Sequence, residues 1–214
     1  MISIAIALSL LACGTQEEGA INAYLKAVRD KDDAARGAVS SLSFPGEVSG
    51  WEIVEMGAET TETFRLPELR RAVKEAKADY DTHIEKRGYF MRDNARIYKE
   101  HKARLEENPD ATFKGELAEF DEQWKKSIQE EQELEVKMQE ANAAMQRERN
   151  TATISIMGGS VTEDFEGEVL VRKAQVNVDG IPYRFTVCKY NIVDKTTNNM
   201  PRSRWIITDI QKQS

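Results

Sequence analysis

The chain has 214 residues, a formal net charge of −7, 31% charged residues and 40% hydrophobic ones. That balance suits one ordinary globular domain plus an extended element. It argues against general nucleic-acid binding, in which Lys and Arg neutralise phosphates, and no basic patch interleaved with aromatics is present.

The chain opens Met-Ile-Ser-Ile-Ala-Ile-Ala-Leu-Ser-Leu-Leu-Ala, residues 1–12, followed by Cys13-Gly14. An apolar run this short cannot cross a bilayer as a helix, which needs about 20 residues, but it suits the apolar region of an export signal. Leu10-Leu11-Ala12-Cys13 resembles a bacterial lipobox. The resemblance implies removal of residues 1–12, lipid attachment at Cys13, and a membrane-anchored protein of the cell envelope. With Gly14 rather than Asp after the cysteine, it favours the periplasmic side of an outer membrane. The leader departs from the pattern in having no Lys or Arg before its apolar run.

Residues 13–19 are small and polar and predict a tether. Over residues 20–42, Ile21, Tyr24, Leu25, Val28, Ala35, Ala38, Val39 and Leu42 keep helical spacing and predict one amphipathic helix. Ser43-Phe44-Pro45-Gly46 ends it. Trp51–Met56 predicts a strand, and residues 60–65 lead onward.

Residues 66–149 predict a helical hairpin. Pro67 suits a first helical turn. Apolar residues from Leu69 to Leu105 form one narrow stripe, and Gly88 is the only weakening residue inside it. Asn108-Pro109-Asp110 breaks the pattern. A second stripe runs from Leu117 to Met145. Residues 67–107 carry eleven basic and nine acidic residues, and 115–149 carry five and ten. A slightly basic helix thus faces an acidic one, which favours antiparallel pairing. No strict multi-heptad seam that would force a long coiled-coil dimer is apparent.

Beyond the hairpin the period becomes alternating. Strands are predicted at Thr151–Met157, then at Val161 and Glu168–Val178 with a break at Glu166-Gly167, then at 181–192 and 204–210. Gly158-Gly159 and Asp179-Gly180 read as tight turns. The fold class is therefore α+β: an N-terminal helix packed on an antiparallel sheet of about four to five strands, with a long antiparallel helical hairpin inserted. The body comprises residues 20–65 and 150–214.

The opening Ala20-Ile-Asn-Ala-Tyr-Leu-Lys-Ala-Val-Arg-Asp-Lys-Asp32 and the closing Ser203-Arg-Trp-Ile-Ile-Thr-Asp-Ile210 are similar to the first helix and last strand of NTF2-like (cystatin-like) domains. That resemblance implies a cone between helix and sheet. Some members of the family are enzymes, and many are binding or structural modules. No catalytic motif of the family can be matched here.

Few residues offer chemistry. His83 and His101 lie about 27 Å apart along a helix, too far to share a metal. Glu130, Glu131, Glu133 and Glu135 lack the loop of a calcium site. Cys188 reads as a small buried hydrophobe. Arg202 and Arg204, beside Trp205, are charged residues near a strand. No catalytic residue, cofactor or metal site is expected, and Cys13 is the one candidate modification site. The reading is a non-enzymatic envelope lipoprotein that engages a protein partner through its hairpin or body. The alternatives are a ligand-binding or enzymatic NTF2-like domain, and a periplasmic holdase resembling the Skp/OmpH chaperones.

Overall fold

In the computed structural model of the protein, residues 15–157, 159–162 and 164–213 are described. Of these, the described residues from 15 to 64 and from 149 onward form one compact unit, the body, and Arg65–Glu148 form another, the hairpin.

The body begins with helix α1 (Gln16–Arg29), which starts inside the expected tether. A capping box sets that start: the Thr15 hydroxyl accepts from the Glu18 amide, and the Glu18 carboxylate accepts from the Thr15 amide. The single helix expected over 20–42 is two. Lys31 sits at φ 54°, and the Asp32 carboxylate accepts from the Ala35 amide at 2.9 Å, capping the short α2 (Asp33–Gly37). The three-four spacing ran on through Val39 and Leu42, but that segment leaves the helix. The Ile207 amide donates to the Val39 carbonyl at 2.9 Å, and the Ser40 hydroxyl donates to the Ile207 carbonyl at 2.9 Å.

The sheet has five antiparallel strands: β1 (Trp51–Met56), β2 (Thr60–Thr63), β3 (Phe165–Val178), β4 (Ile181–Asp194) and β5 (Ile206–Lys212). Their order is β1-β3-β4-β5, with β2 also on β3. The fold is α+β as expected, with the helical hairpin inserted between β2 and β3. Asp179 (φ 50°) and Gly180 (φ 80°) make the expected tight turn, and β3 pairs with β4 continuously from Val178↔Ile181 to Phe165↔Asp194. The break expected at Gly167 is absent. Gly167 stands at φ 145°, where a Cβ would overlap the Asn191 carbonyl. Glycine is needed there for close approach, not to end a strand.

The β3–β4 ribbon buries one face near its turn and the other face at its far end. Near the turn Ala174, Val176, Tyr183, Phe185 and Val187 are buried, and Ile21, Tyr24 and Leu25 of α1 belong to the same core. At the far end the buried set changes parity to Val169, Val171, Cys188, Tyr190 and Ile192. There the Phe64 ring meets Tyr190 edge-on at 5.7 Å.

The strand expected at Thr151–Met157 is instead the end of helix α5 (Glu116–Ser155). Thr-Ala-Thr-Ile-Ser-Ile satisfies period two, but Ala152, Ser155 and Ile156 are the residues buried, which is helical spacing. Ser155, fully buried, accepts from the Tyr190 amide at 3.2 Å and donates to the Arg204 carbonyl at 2.7 Å. β5 pairs β4 only as far as Cys188, so this hydroxyl takes over a strand donor that β5 does not reach. One bridge, Ile156↔Ser203, is strand-like. Gly158 of the expected Gly158-Gly159 turn lies outside the described residues, as do the leader and Cys13.

The hairpin's first arm is not one helix but two, α3 (Leu66–Asp93) and α4 (Ala95–Glu107). The interruption falls at Asn94 (φ −108°, ψ 29°), whose side-chain amide donates to the Phe90 carbonyl at 2.9 Å. An Asn side chain competes with the backbone for such bonds. Gly88, the expected weak point, lies inside α3.

Candidate functional site

Aromatic rings pack against one another in the body core. Tyr24 and Phe185 meet edge-on at 6.3 Å, Phe44 lies 5.0 Å from the Tyr183 ring, and Trp205 belongs to the same core. The Tyr24 hydroxyl donates to the Leu42 carbonyl at 3.2 Å. Burial pushes its pKa up to about 12, and nearby Arg36 offsets only part of that. At the rim a cavity of about 180 Å³ remains beside Lys31, Arg36 and Phe44. Arg36 is committed there, bonded to the Ser43 hydroxyl at 2.8 Å and to Asp33 at 2.9 Å.

The hairpin is built differently. From Leu69 its inward residues step by four and three through Val73, Ala76, Tyr80, His83, Arg87 and Phe90 to Asn94. Asn94 to Tyr98 is a second four-residue step, so the helix interruption coincides with a stutter in the repeat. On α5 the same alternation runs unbroken from Phe120 through Trp124, Ser127, Glu131, Leu134, Met138 and Ala141 to Met145. A heptad seam therefore joins the two arms within the hairpin. Its polar members, His83, Arg87, Asn94, Ser127 and Glu131, stand where the apolar stripe leaves gaps.

The polar seam residues are paired. His83 Nε2 lies 2.9 Å from the Ser127 carbonyl, and Nδ1 lies 3.7 Å from Glu130. Arg87 forms an ion pair with Glu131, and its guanidinium sits 5.8 Å from the centre of the Trp124 ring. Farther out, His101 is 2% exposed, with Nε2 2.8 Å from Asp121, whose other oxygen accepts from Lys125 at 2.7 Å. Burial pushes the Asp121 pKa up, but the bonds from Lys125 and His101 outweigh it and hold the carboxyl below its usual value. Aromatic rings pack around this layer: Phe113 at 4.8 Å and Phe120 at 5.3 Å from His101, with Phe90 stacked on Phe120 at 5.1 Å.

Between α4 and α5 an open groove of about 280 Å³ has Tyr98, His101, Leu105 and Trp124 on its walls and Lys102 and Glu106 at its rim. Tyr98 and Trp124 lie 5.4 Å apart. An aromatic groove with a charged rim suits protein recognition better than bond-making chemistry.

Most of the other residues singled out in the sequence have structural partners. Both histidines face α5, in separate layers of the seam. Among the described residues no three His, Cys, Asp or Glu gather as a metal site. Within the acidic run Glu131 is drawn into the seam, while Glu133 and Glu135 stay exposed. Cys188 is buried, its sulfur 3.2 Å from the Thr208 hydroxyl. Arg204 Nε donates to the Ile154 carbonyl at 3.1 Å, whereas Arg202 is exposed, so the two form no common anion site. Asp121 went unnoticed in the sequence. Its signal was a carboxylate one position from a seam aromatic and four residues before Lys125. No helix among the described residues is long and apolar enough to cross a membrane. Comparison with protein-family models, with curated proteins and with solved structures finds no match to this chain.

Proposed function

We propose that the protein is a non-enzymatic lipoprotein of the cell envelope, anchored through Cys13, that uses its helical hairpin as a protein-binding arm. The observation that carries the binding reading is the contrast between the two interiors. Aromatic side chains pack between α1 and the sheet, where a ligand-binding or enzymatic NTF2-like domain would hold its substrate, and the cavity left at the rim beside Arg36 is only about 180 Å³. The hairpin instead keeps an aromatic groove open to solvent. The NTF2-like likeness of the body then describes a scaffold. The anchor rests on Leu10-Leu11-Ala12-Cys13.

Two measurements test the proposal. Intact mass of the protein from membranes should show a diacyl or triacyl chain beginning at Cys13, absent after Cys13→Ser; an unmodified chain retaining Met1 removes the anchor. Trp124→Ala should abolish recovery of an envelope partner in cross-linking pull-downs. If the same partners are recovered after that change, the groove is not the binding surface.

A further inference from the structure

We propose that the exposed face of α1 lies flat on lipid headgroups, held there by the shortness of the tether. The inference rests on the anchor at Cys13 and not on the role of the hairpin. Helix α1 begins at Gln16 with its cap at Thr15, so Gly14 alone separates the capped residue from Cys13. Two peptide steps carry the chain at most about 7.6 Å. The tether expected over residues 13–19 would have reached roughly 24 Å. A lipid on Cys13 therefore keeps the first turn of α1 at the headgroup layer, and the body cannot swing clear of it.

The chemistry of α1 suits that position. At 100° per residue, Gln16, Gly19, Asn22, Ala23, Lys26 and Arg29 fall within an arc of roughly 140°. All six are exposed, and the N-cap Thr15 lies in the same arc. The core residues Ile21, Tyr24 and Leu25 occupy the opposite side of the helix. Gly19 and Ala23 have almost no side chain, so the helix backbone can come close to a surface. The two carboxylates of α1 are turned off this face. Glu17 is buried, 3.4 Å from Arg172, and Glu18 accepts from the Thr15 amide at 3.0 Å. The face carries the cations Lys26 and Arg29, the latter bonded to Asp30 at 3.0 Å. Charge decides between lying and standing. Standing on its first turn, the body would carry Glu59, 3.8 Å from the same Arg172, toward anionic headgroups. Lying flat, it sets Lys26 and Arg29 against them along about 21 Å of helix.

The test uses the acylated full chain, purified from membranes and placed in vesicles of phosphatidylethanolamine and phosphatidylglycerol that carry a nitroxide on the headgroup. Cys188 is buried and an acylated Cys13 has no thiol, so a single introduced cysteine takes the fluorophore. Labels at Gln16→Cys, Ala23→Cys and Lys26→Cys should be quenched alike. They should be quenched several-fold more than a label at Gln175→Cys, which is exposed on the sheet face turned away from α1. A flexible Gly/Ser linker of about 20 residues inserted after Gly14 spans roughly 25 Å and should abolish that difference. Intact mass of the same samples separates this proposal from the anchor on which it rests. An acylated chain whose α1 labels are quenched no more than the one at Gln175 overturns the flat face while the anchor stands. An unacylated chain removes both. Quenching that falls steadily from Gln16 to Lys26 describes a standing helix and overturns the proposal, as does quenching that survives the linker.

Discussion

The body and the hairpin solve the same problem with different materials. In the body, Ile21, Tyr24, Leu25, Phe185 and Val187 are fully buried, and a sheet covered by a helix gives each of them apolar neighbours on several sides. The hairpin has only two helical arms, and a residue between two arms keeps one side near water. Of its residues only Leu66, Ala76, His101, Leu117, Phe120 and Met145 are buried. There polar side chains cost little, because their heads reach solvent or a partner at the rim, and they contribute geometry. His83, Arg87 and His101 each bond a polar group on α5, so sliding one arm along the other would break those contacts. The body is held together by area and the hairpin by matched pairs.

Three experiments press on this difference. The largest effect is expected in the body. Phe185→Ala removes a fully buried ring and should cost about 3–5 kcal/mol, read as an early cooperative loss of Trp205 burial in urea. A graded loss, with β-structure retained, would mean that the body core is not one unit.

In the hairpin, Arg87→Leu leaves the Glu131 carboxylate in the seam without its cation and should cost about 1–3 kcal/mol in helix melting. Adding Glu131→Leu should recover that stability or exceed it, as apolar pairs replacing ion pairs often do. The double variant should nevertheless lose its single register, seen as split or broadened amide resonances along α3 and α5. Sharp, single resonances would show that the pair does not specify alignment.

The smallest effect concerns pH. The Asp121 carboxyl is held below its usual value in the folded hairpin. Its contribution to stability is therefore present in full above the unfolded carboxylate pKa of about 3.9 and fades as the pH falls through the lower folded value. Asp121→Asn should flatten the helix-melting profile in that acid range and leave the body's melting unchanged. An unaltered profile would remove Asp121 from the account.

Most of the architecture was legible because local chemistry and global fold agreed. Asp179-Gly180 demanded positive φ at both residues, and the long ribbon followed. Trp51–Met56, Pro67 and Asn108-Pro109 marked boundaries where they are found. Errors arose where two periods fit the same letters. Thr151 to Ile156 alternates well enough for a strand, and only the buried Ser155 hydroxyl, bonded to Tyr190 and Arg204, shows why a helix end belongs there. Residues 35–42 continued a helical spacing that Lys31 and Asp32 had already interrupted. The candidate site was least legible. The apolar members of its seam lie in the stripes, but His83, Arg87, Ser127 and Glu131 fill the remaining positions and carry no apolar signal.

The insertion point of the hairpin sets the schedule of synthesis. β1 and β2 both pair with β3, yet about a hundred residues separate the end of β2 from the start of β3. At about 5–20 residues per second, those strands leave the ribosome several seconds before their partner. Meanwhile the emerging chain is a charged helical pair that can close on local contacts within microseconds to milliseconds. A nascent chain with two unpaired strands is therefore followed by a long, highly charged spacer that offers no edge to bind. When the β3–β4 ribbon arrives it supplies the partner for β1 and β2 and both of the surfaces the body core needs. The last third of translation thus decides whether the first third folds.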